Sequence, residues 1–194
     1  MQFASLIGEI NWVDIFIVII LIRAGYVALK NGLASEFFKI LGLVFCSYLA
    51  LHYHSGIVDL VQNRLGFKKA STGFLNFVFF VILAAAGYAL FVLLRKIFSR
   101  FIKMEAIPTL NKWGGFFLGI LRGLFLASLI LFILVISEIQ YFRKSIRSSA
   151  SGRFVLRIAP VAYNSLWRDI VSKFFPSEKL NEQVNSAQED LYKK

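Results

Sequence analysis

Five charged residues lie within long apolar segments of this 194-residue chain: Asp14, Arg23, Glu36, Lys39 and Arg122. A charge in the hydrocarbon core of a bilayer is costly unless it reaches water, the interface or an opposite charge. Charges in such positions indicate either buried ion pairs or a path for ions and solutes. With two acids and three bases, this set allows both interpretations.

Glu36 is the expected counter-charge for the two arginines. Along the first helix, Arg23 lies about 10 Å before the turn that ends this helix. Along the fourth helix, which enters the membrane from the same side as that turn, Arg122 lies about 13 Å after Trp113. The two arginines are therefore expected at similar depth. Glu36 enters from that side one turn into the second helix, so it can form a bidentate pair with either arginine.

Two alternatives remain open for these charges. The arginines can snorkel to the interface while Glu36 pairs with Lys39 at i, i+3. The charges can also line an ion or solute path. A path needs polar residues along a whole bundle axis, whereas these residues cluster toward one side of the membrane. The pattern therefore favours a structural network.

Small residues recur at every fourth position in two segments: Gly115, Gly119, Gly123 and Ala127 in one, and Ala24, Ala28 and Gly32 in the other. Residues four apart lie on one face of a helix, and small residues let two helix backbones approach closely in lipid. The pattern predicts that the first and fourth helices pack on these faces, either within one chain or between copies.

The sequence offers no group for catalysis or metal binding. His52 and His54 are two residues apart, so they do not share a helical face, and no third ligand is near. Cys46 is the only cysteine, which excludes an intramolecular disulfide and a cysteine-based zinc site. No sequence motif of a known active site is present. We therefore expect no enzyme activity, no cofactor and no metal.

The composition indicates an all-α integral membrane protein. Hydrophobic residues make up 58% of the chain and charged residues only 17%, and the apolar residues run continuously where a soluble core would alternate them with polar ones. Four helices of spanning length are predicted over about 12–29, 33–51, 74–94 and 113–137. Residues 52–72 are predicted to form a short surface helix, and residues 95–103 an amphipathic continuation of the third span that ends at Pro108.

Beyond Glu138 the chain becomes basic and rich in serine. We divide it into a four-helix transmembrane domain over 1–144, a linker with an interfacial amphipathic helix over 145–176, and a loose polar tail over 177–194. Pro160 is predicted to open that helix and Pro176 to end it, with Trp167 on the apolar face and Arg168 on the polar face.

The formal charge of +11 lies mainly outside the apolar segments. Basic clusters beside membrane helices usually meet anionic lipid headgroups, and no pattern of bases and aromatics indicates a nucleic-acid groove. We therefore expect contact with a bilayer that contains anionic lipids, and no nucleic-acid partner. Lys and Arg near the helix ends are too evenly divided between the two sides to fix the orientation.

Three short motifs stand in order over about Asn11 to Leu134. An acid heads the first helix in Trp12-Val13-Asp14, a turn with an acid follows in Asn31-Gly32 and Glu36, and the last span is glycine-rich in Asn111-Lys112-Trp113-Gly114-Gly115, Gly119 and Arg122-Gly123. Together these motifs resemble the colicin V production protein family. The 160–176 helix resembles the family's C-terminal segment. Asn31 stands where the family usually has Arg, and Lys30 lies next to it.

The resemblance implies a multi-pass protein of the bacterial inner membrane. It implies a role in colicin V production or export and more broadly in envelope homeostasis, with no known reaction. A homo-oligomer, or contacts with secretion or envelope proteins, are the protein interactions left open. A small ion or solute channel, or a transporter subunit, is the alternative.

Overall fold

The computed structural model describes residues 11–64, 71–98, 108–176 and 178–193. Its long helices are α1 Trp12–Asn31, α2 Leu33–Arg64, α3 Thr72–Phe98 and α4 Pro108–Ile136. In the described part of the chain, these four helices are long and apolar enough to cross a membrane. The predicted all-α membrane class and its four spans are thereby confirmed.

Shorter helices follow the fourth span. They are α5 Gln140–Ser148, α6 Gly152–Leu166, a π-helical turn Trp167–Val171, α7 Ser172–Phe174 and α8 Glu182–Lys193. The segments α6, π turn and α7 follow one another without a break and end just before Pro176, because proline cannot continue a helix.

Gly32 makes the turn between α1 and α2. Its φ of 75° and ψ of 171° belong to a region that is essentially restricted to glycine. Its N–H donates to Ala28 O at 3.1 Å, which caps the end of α1. On the other side of the turn, Asn111 Oδ1 accepts the Leu33 N–H at 2.7 Å, so a residue of α4 caps the start of α2. The turn therefore joins two helices that pack mainly on other partners, α1 on α4 and α2 on α3.

The small-residue faces of α1 and α4 pack against each other inside one chain. A Cβ added at Gly115 would meet Gly32 C at 2.9 Å, and one at Gly119 would overlap Ala28 Cβ. One at Gly123 would meet Ala24 Cβ at 2.9 Å. As the numbers rise along α4 they fall along α1, so the two helices are antiparallel and their backbones lie close along this face.

A second close contact joins α2 and α3. A Cβ at Gly87 would lie 3.1 Å from both Cα and Cβ of Cys46, and the ring of Phe91 covers Gly42. Where α2, α3 and α4 meet, the core is formed by large apolar side chains such as Leu51, Phe80 and Phe132. Four helices of mainly apolar sequence thus gain a common interior through glycine contacts and interlocking side chains.

Three expectations about the connecting and terminal segments are wrong. Residues 52–64 form no separate surface helix, since α2 continues unbroken to Arg64. The stretch 140–148 is helical, so the linker reduces to a short turn before α6. The tail is ordered as α8, in which Val184 is fully buried. Of the predicted amphipathic continuation at 95–103, residues 95–98 belong to α3, and residues 99–103 lie outside the described residues.

Pro160 does not open the amphipathic helix but lies inside α6. Proline has no N–H, so Leu156 O loses its usual helical donor. Ser128 of α4 supplies a replacement, because its Oγ donates to Leu156 O at 3.1 Å and accepts the Ala159 N–H at 2.8 Å. A hydroxyl from a neighbouring helix commonly satisfies the backbone around a proline in lipid. This contact anchors α6 to the fourth span.

Candidate functional site

Glu36 lies at the centre of a buried ion network near the α1–α2 turn. Its side chain has no exposed area, and its Oε2 accepts the Arg122 Nε–H at 2.7 Å. Its Oε1 accepts hydrogen bonds from Lys39 Nζ at 2.6 Å and from Asn31 Nδ2 at 3.2 Å. The expected contact of Glu36 with Arg122 and the i, i+3 contact with Lys39 therefore occur together.

Local helix geometry explains why these groups meet. Glu36 and Lys39 lie on the first two turns of α2, and their spacing puts both on one side of that helix. The contact of Gly115 with Gly32 sets the height of α4 relative to the turn. Arg122 then lies about 10 Å below Gly115 and reaches Glu36.

Arg23 does not join this network, contrary to expectation. Its side chain is exposed, and no ion pair to it is found within the described residues. The face of α1 that meets α4 carries Leu21, Ala24 and Ala28. At 100° per residue, Arg23 lies more than a quarter-turn from that face, so matching depth could not bring it to Glu36.

Asp14 acts at the opposite end of the bundle. Its carboxylate accepts hydrogen bonds from the N–H of Ser151 at 2.9 Å and of Ala150 at 3.3 Å. The hydroxyls of Ser149 and Ser151 donate to it at 2.8 and 2.5 Å. These donors lie just before the first residue of α6, at the helix end that favours negative charge. Asp14 therefore caps a C-terminal helix from the first span and makes no contact with the cations of the ion network.

His52 belongs to a hydrogen-bonded chain with the C-terminal segment. Asn181 N–H donates to Tyr163 Oη at 3.0 Å, and Tyr163 Oη lies 2.9 Å from His52 Nδ1. The other ring nitrogen, Nε2, lies 3.1 Å from Glu178 Oε2. Burial raises the pKa of Tyr163, so its hydroxyl keeps its proton. The ring nitrogens of His52 are both occupied by these partners.

The residues predicted to meet the membrane surface lie on the π-helical turn. Trp167 is half-buried, and Arg168 is exposed and paired with Asp169 at 3.0 Å. Further along, Ile170 and Phe174 remain exposed, whereas Tyr163 faces the bundle. The apolar stripe is therefore divided, with its first part packed on protein and its second part open. Contact of Trp167 and Arg168 with headgroups remains a prediction.

Three polar residues outside the predicted set hold the architecture together. Asn111 caps α2, Ser128 repairs the backbone of α6, and Asn181 donates from Nδ2 to Leu51 O at 2.7 Å. Ser128 had a signal in the sequence, since a hydroxyl in an apolar span needs an acceptor and Pro160 frees one. Asn111 lies in the motif Asn111-Lys112-Trp113 that resembles the family, but the motif assigns it no contact. Asn111 and Asn181 act on residues distant in the chain, which no local pattern reveals.

The fold and the network define a class, a multi-pass α-helical membrane protein with an internal ion network. A family model described as "Colicin V production protein" matches residues 13–160. The chain belongs to the colicin V production protein family. Comparison with curated proteins and with solved structures finds no match. The match covers all four spans, the ion network and the start of α6.

Proposed function

We propose that this chain is a non-enzymatic protein of the bacterial inner membrane that supports toxin production and export and envelope homeostasis. It does so through helix packing and through contacts with lipids or other membrane proteins. The observation that carries this proposal is the ion network of Glu36, Arg122 and Lys39. These charges bind one another at one end of the bundle, so they serve as a structural unit.

The interior below that network supports a structural role over transport. Leu131, Phe132 and Val135 of α4 are completely buried. In the described part of the chain they follow Arg122 as large apolar groups of one buried cluster that also contains Leu51 of α2 and Phe80 of α3. An ion path through the bundle would need polar groups at these positions.

Complementation tests the role in toxin production. A colicin V-producing strain that lacks its own family member receives the wild-type chain, Glu36→Gln or Arg23→Gln, and secreted toxin is measured by growth inhibition of a sensitive lawn. We expect wild type and Arg23→Gln to restore secretion, because Arg23 lies outside the network, and Glu36→Gln to fail at equal membrane levels. Equal restoration by Glu36→Gln would show that the network is dispensable for this role.

Flux measurements separate this proposal from a channel or transporter subunit. The full chain is reconstituted into liposomes, and proton and small-ion flux is recorded beside empty liposomes. We expect no flux above background for wild type. Robust flux that Glu36→Gln abolishes and Arg23→Gln preserves would replace the structural role with a transport role.

A further inference from the structure

A cavity of about 440 Å³ lies between α2, α3 and α4, and we name it the α3–α4 slot. Its walls are mainly apolar and include Leu43, Ala84 and Leu129. Lys39 and Arg122 line it as well and give it a charged end. Its volume lies within the range of about 300–1,000 Å³ that is usual for sites of small molecules.

The slot has the length of an acyl chain in one leaflet. Along α4 it runs from Arg122 to Ile133, about 16 Å of helix rise. One leaflet contributes about 15 Å, half of the hydrocarbon core of a bilayer. Val81, Ala85 and Tyr88 of α3 line the slot and are exposed, so the slot opens sideways toward lipid.

The charged end of the slot has unused hydrogen-bond donors and a net positive charge. Glu36 offers one negative charge to the two cations Lys39 and Arg122, which leaves an excess of one positive charge. Arg122 uses Nε for Glu36, and the described residues supply no acceptor to its two Nη groups. A guanidinium with free Nη groups binds a phosphate oxygen pair well.

Both cations reach toward the membrane surface nearest the α1–α2 turn. The helices α2 and α4 begin at that surface, and side chains on a helix lean toward its N-terminus. Lys39 and Arg122 can therefore hold their charged ends above their own backbone positions. The apolar part of the slot extends the other way, toward Phe80 and Ile133.

We propose that the α3–α4 slot binds one acyl chain of an anionic phospholipid, with the headgroup phosphate at Lys39 and Arg122. The apolar walls bury the chain, and the excess positive charge selects the headgroup. The inference rests on the proposed role through lipid and helix contacts. The lipid-binding inference is tested by a map of lipid adducts, and the proposed function is tested by complementation. Either one can therefore fail while the other holds.

Photocrosslinking in nanodiscs tests the slot. The full chain is reconstituted with phosphatidylglycerol that carries a diazirine on one acyl chain, or with phosphatidylcholine that carries the same chain, and adducts are mapped by peptide mass spectrometry. We expect adducts to concentrate on residues such as Ala84 and Leu129. The anionic probe should exceed the zwitterionic probe about fivefold, the effect of one basic residue near a charged lipid surface.

Lys39→Gln tests the headgroup site. This change leaves Arg122 and Glu36 as a neutral pair, so the ratio of anionic to zwitterionic adducts should fall about fivefold to near one. Adducts within the slot should persist, because the apolar walls are unchanged. Arg23→Gln is the matched control, since it removes an exposed membrane charge away from the slot and should leave the ratio intact.

Two neighbouring alanines of α3 give a steric test. Ala85 and Ala86 are both exposed, but only Ala85 lines the slot. Ala85→Phe should remove most adducts at Leu129, whereas Ala86→Phe should retain them. Circular dichroism and size-exclusion profiles establish whether both variants fold. If Ala85→Phe does not fold, the adduct maps of the wild-type protein and of Lys39→Gln decide whether the slot binds lipid.

Three outcomes overturn the proposal. Adducts spread evenly over exposed positions such as Ile19 and Ile22 would indicate ordinary annular lipid. A ratio that Lys39→Gln leaves unchanged would remove the headgroup site. Exclusion of both probes from Leu129 in the wild-type protein would indicate a second copy of the chain, or another protein, in the slot.

Discussion

The two ends of the bundle use their carboxylates differently. At the end that holds the α1–α2 turn, here called the turn end, a carboxylate binds charged side chains, whereas at the opposite end a carboxylate binds neutral donors. Glu36 lies between Lys39 and Arg122, all within membrane-spanning helices. Asp14 instead accepts hydrogen bonds from N–H and hydroxyl groups of the segment just before α6. The first arrangement fixes spans against one another, and the second attaches a C-terminal helix to a span.

The difference teaches how each end should respond to mutation. A buried ion network leaves uncompensated charge when one partner is removed, which costs more than a lost neutral hydrogen bond. The turn end should therefore control the stability of the whole bundle. The opposite end should control the attachment of α6 with little effect on the four spans.

The largest effect is expected for Glu36→Gln. The substitution leaves Lys39 and Arg122 without their counter-charge in a mainly apolar interior, and we expect a loss of about 3 kcal/mol or more. Denaturant unfolding in detergent micelles measures this loss. Arg23→Gln serves as the control and should cost less than about 1 kcal/mol, since its side chain is exposed. Equal losses in both variants would contradict a special role for the network.

An intermediate effect is expected for Gly119→Ala, which probes how closely α1 and α4 approach at the turn end. The added methyl overlaps Ala28 Cβ and lies 3.0 Å from Ala24 O, so the helices must separate. We expect a cost of about 1–3 kcal/mol by the same unfolding measurement.

Gly56→Ala is the matched control for that substitution. Nothing lies within 4 Å of a Cβ at Gly56 in α2, so the change should stabilise the helix by roughly 0.5–1 kcal/mol. If Gly119→Ala is as well tolerated as Gly56→Ala, the packing of small residues does not hold α1 on α4.

The smallest global effect is expected for Ser128→Ala, which probes the opposite end. The change removes the donor to Leu156 O and should weaken hydrogen-exchange protection in α6 by about tenfold, equal to about 1.4 kcal/mol, within the range for an unpaired buried group. Protection in α1 and α4 should remain. A loss that spread to all four spans would contradict the division between the two ends.

A second substitution sharpens that test. Pro160→Ala supplies an N–H at the position where Leu156 O lacks its helical donor. In the Ser128→Ala background it should restore much of the protection, whereas in the wild-type background it should change little. Additive losses in the double variant would show that Ser128 acts by some contact other than repair of the helix.

The turn end was largely predictable from the sequence, and the opposite end was not. Glu36 was expected to pair with Arg122 or Arg23 because both arginines lie at similar depth and Glu36 enters the membrane from the same side. The rotation of α1 decided that Arg23 would not join them, and depth alone carries no information on rotation. The order of α8 was missed because its sequence is polar, and only the docked Val184 and the bonds of Asn181 explain it.

The sequence by itself determined the class, the four spans, the faces of small residues and the cost of leaving Glu36 unpaired. These follow from composition and helical periodicity, which act locally along the chain. Only the tertiary structure decided that those faces meet within one chain, that Ser128 compensates for Pro160, and that the α3–α4 slot opens beside two cations. The physical reason is that each of these depends on how helices distant in sequence are placed and rotated against one another.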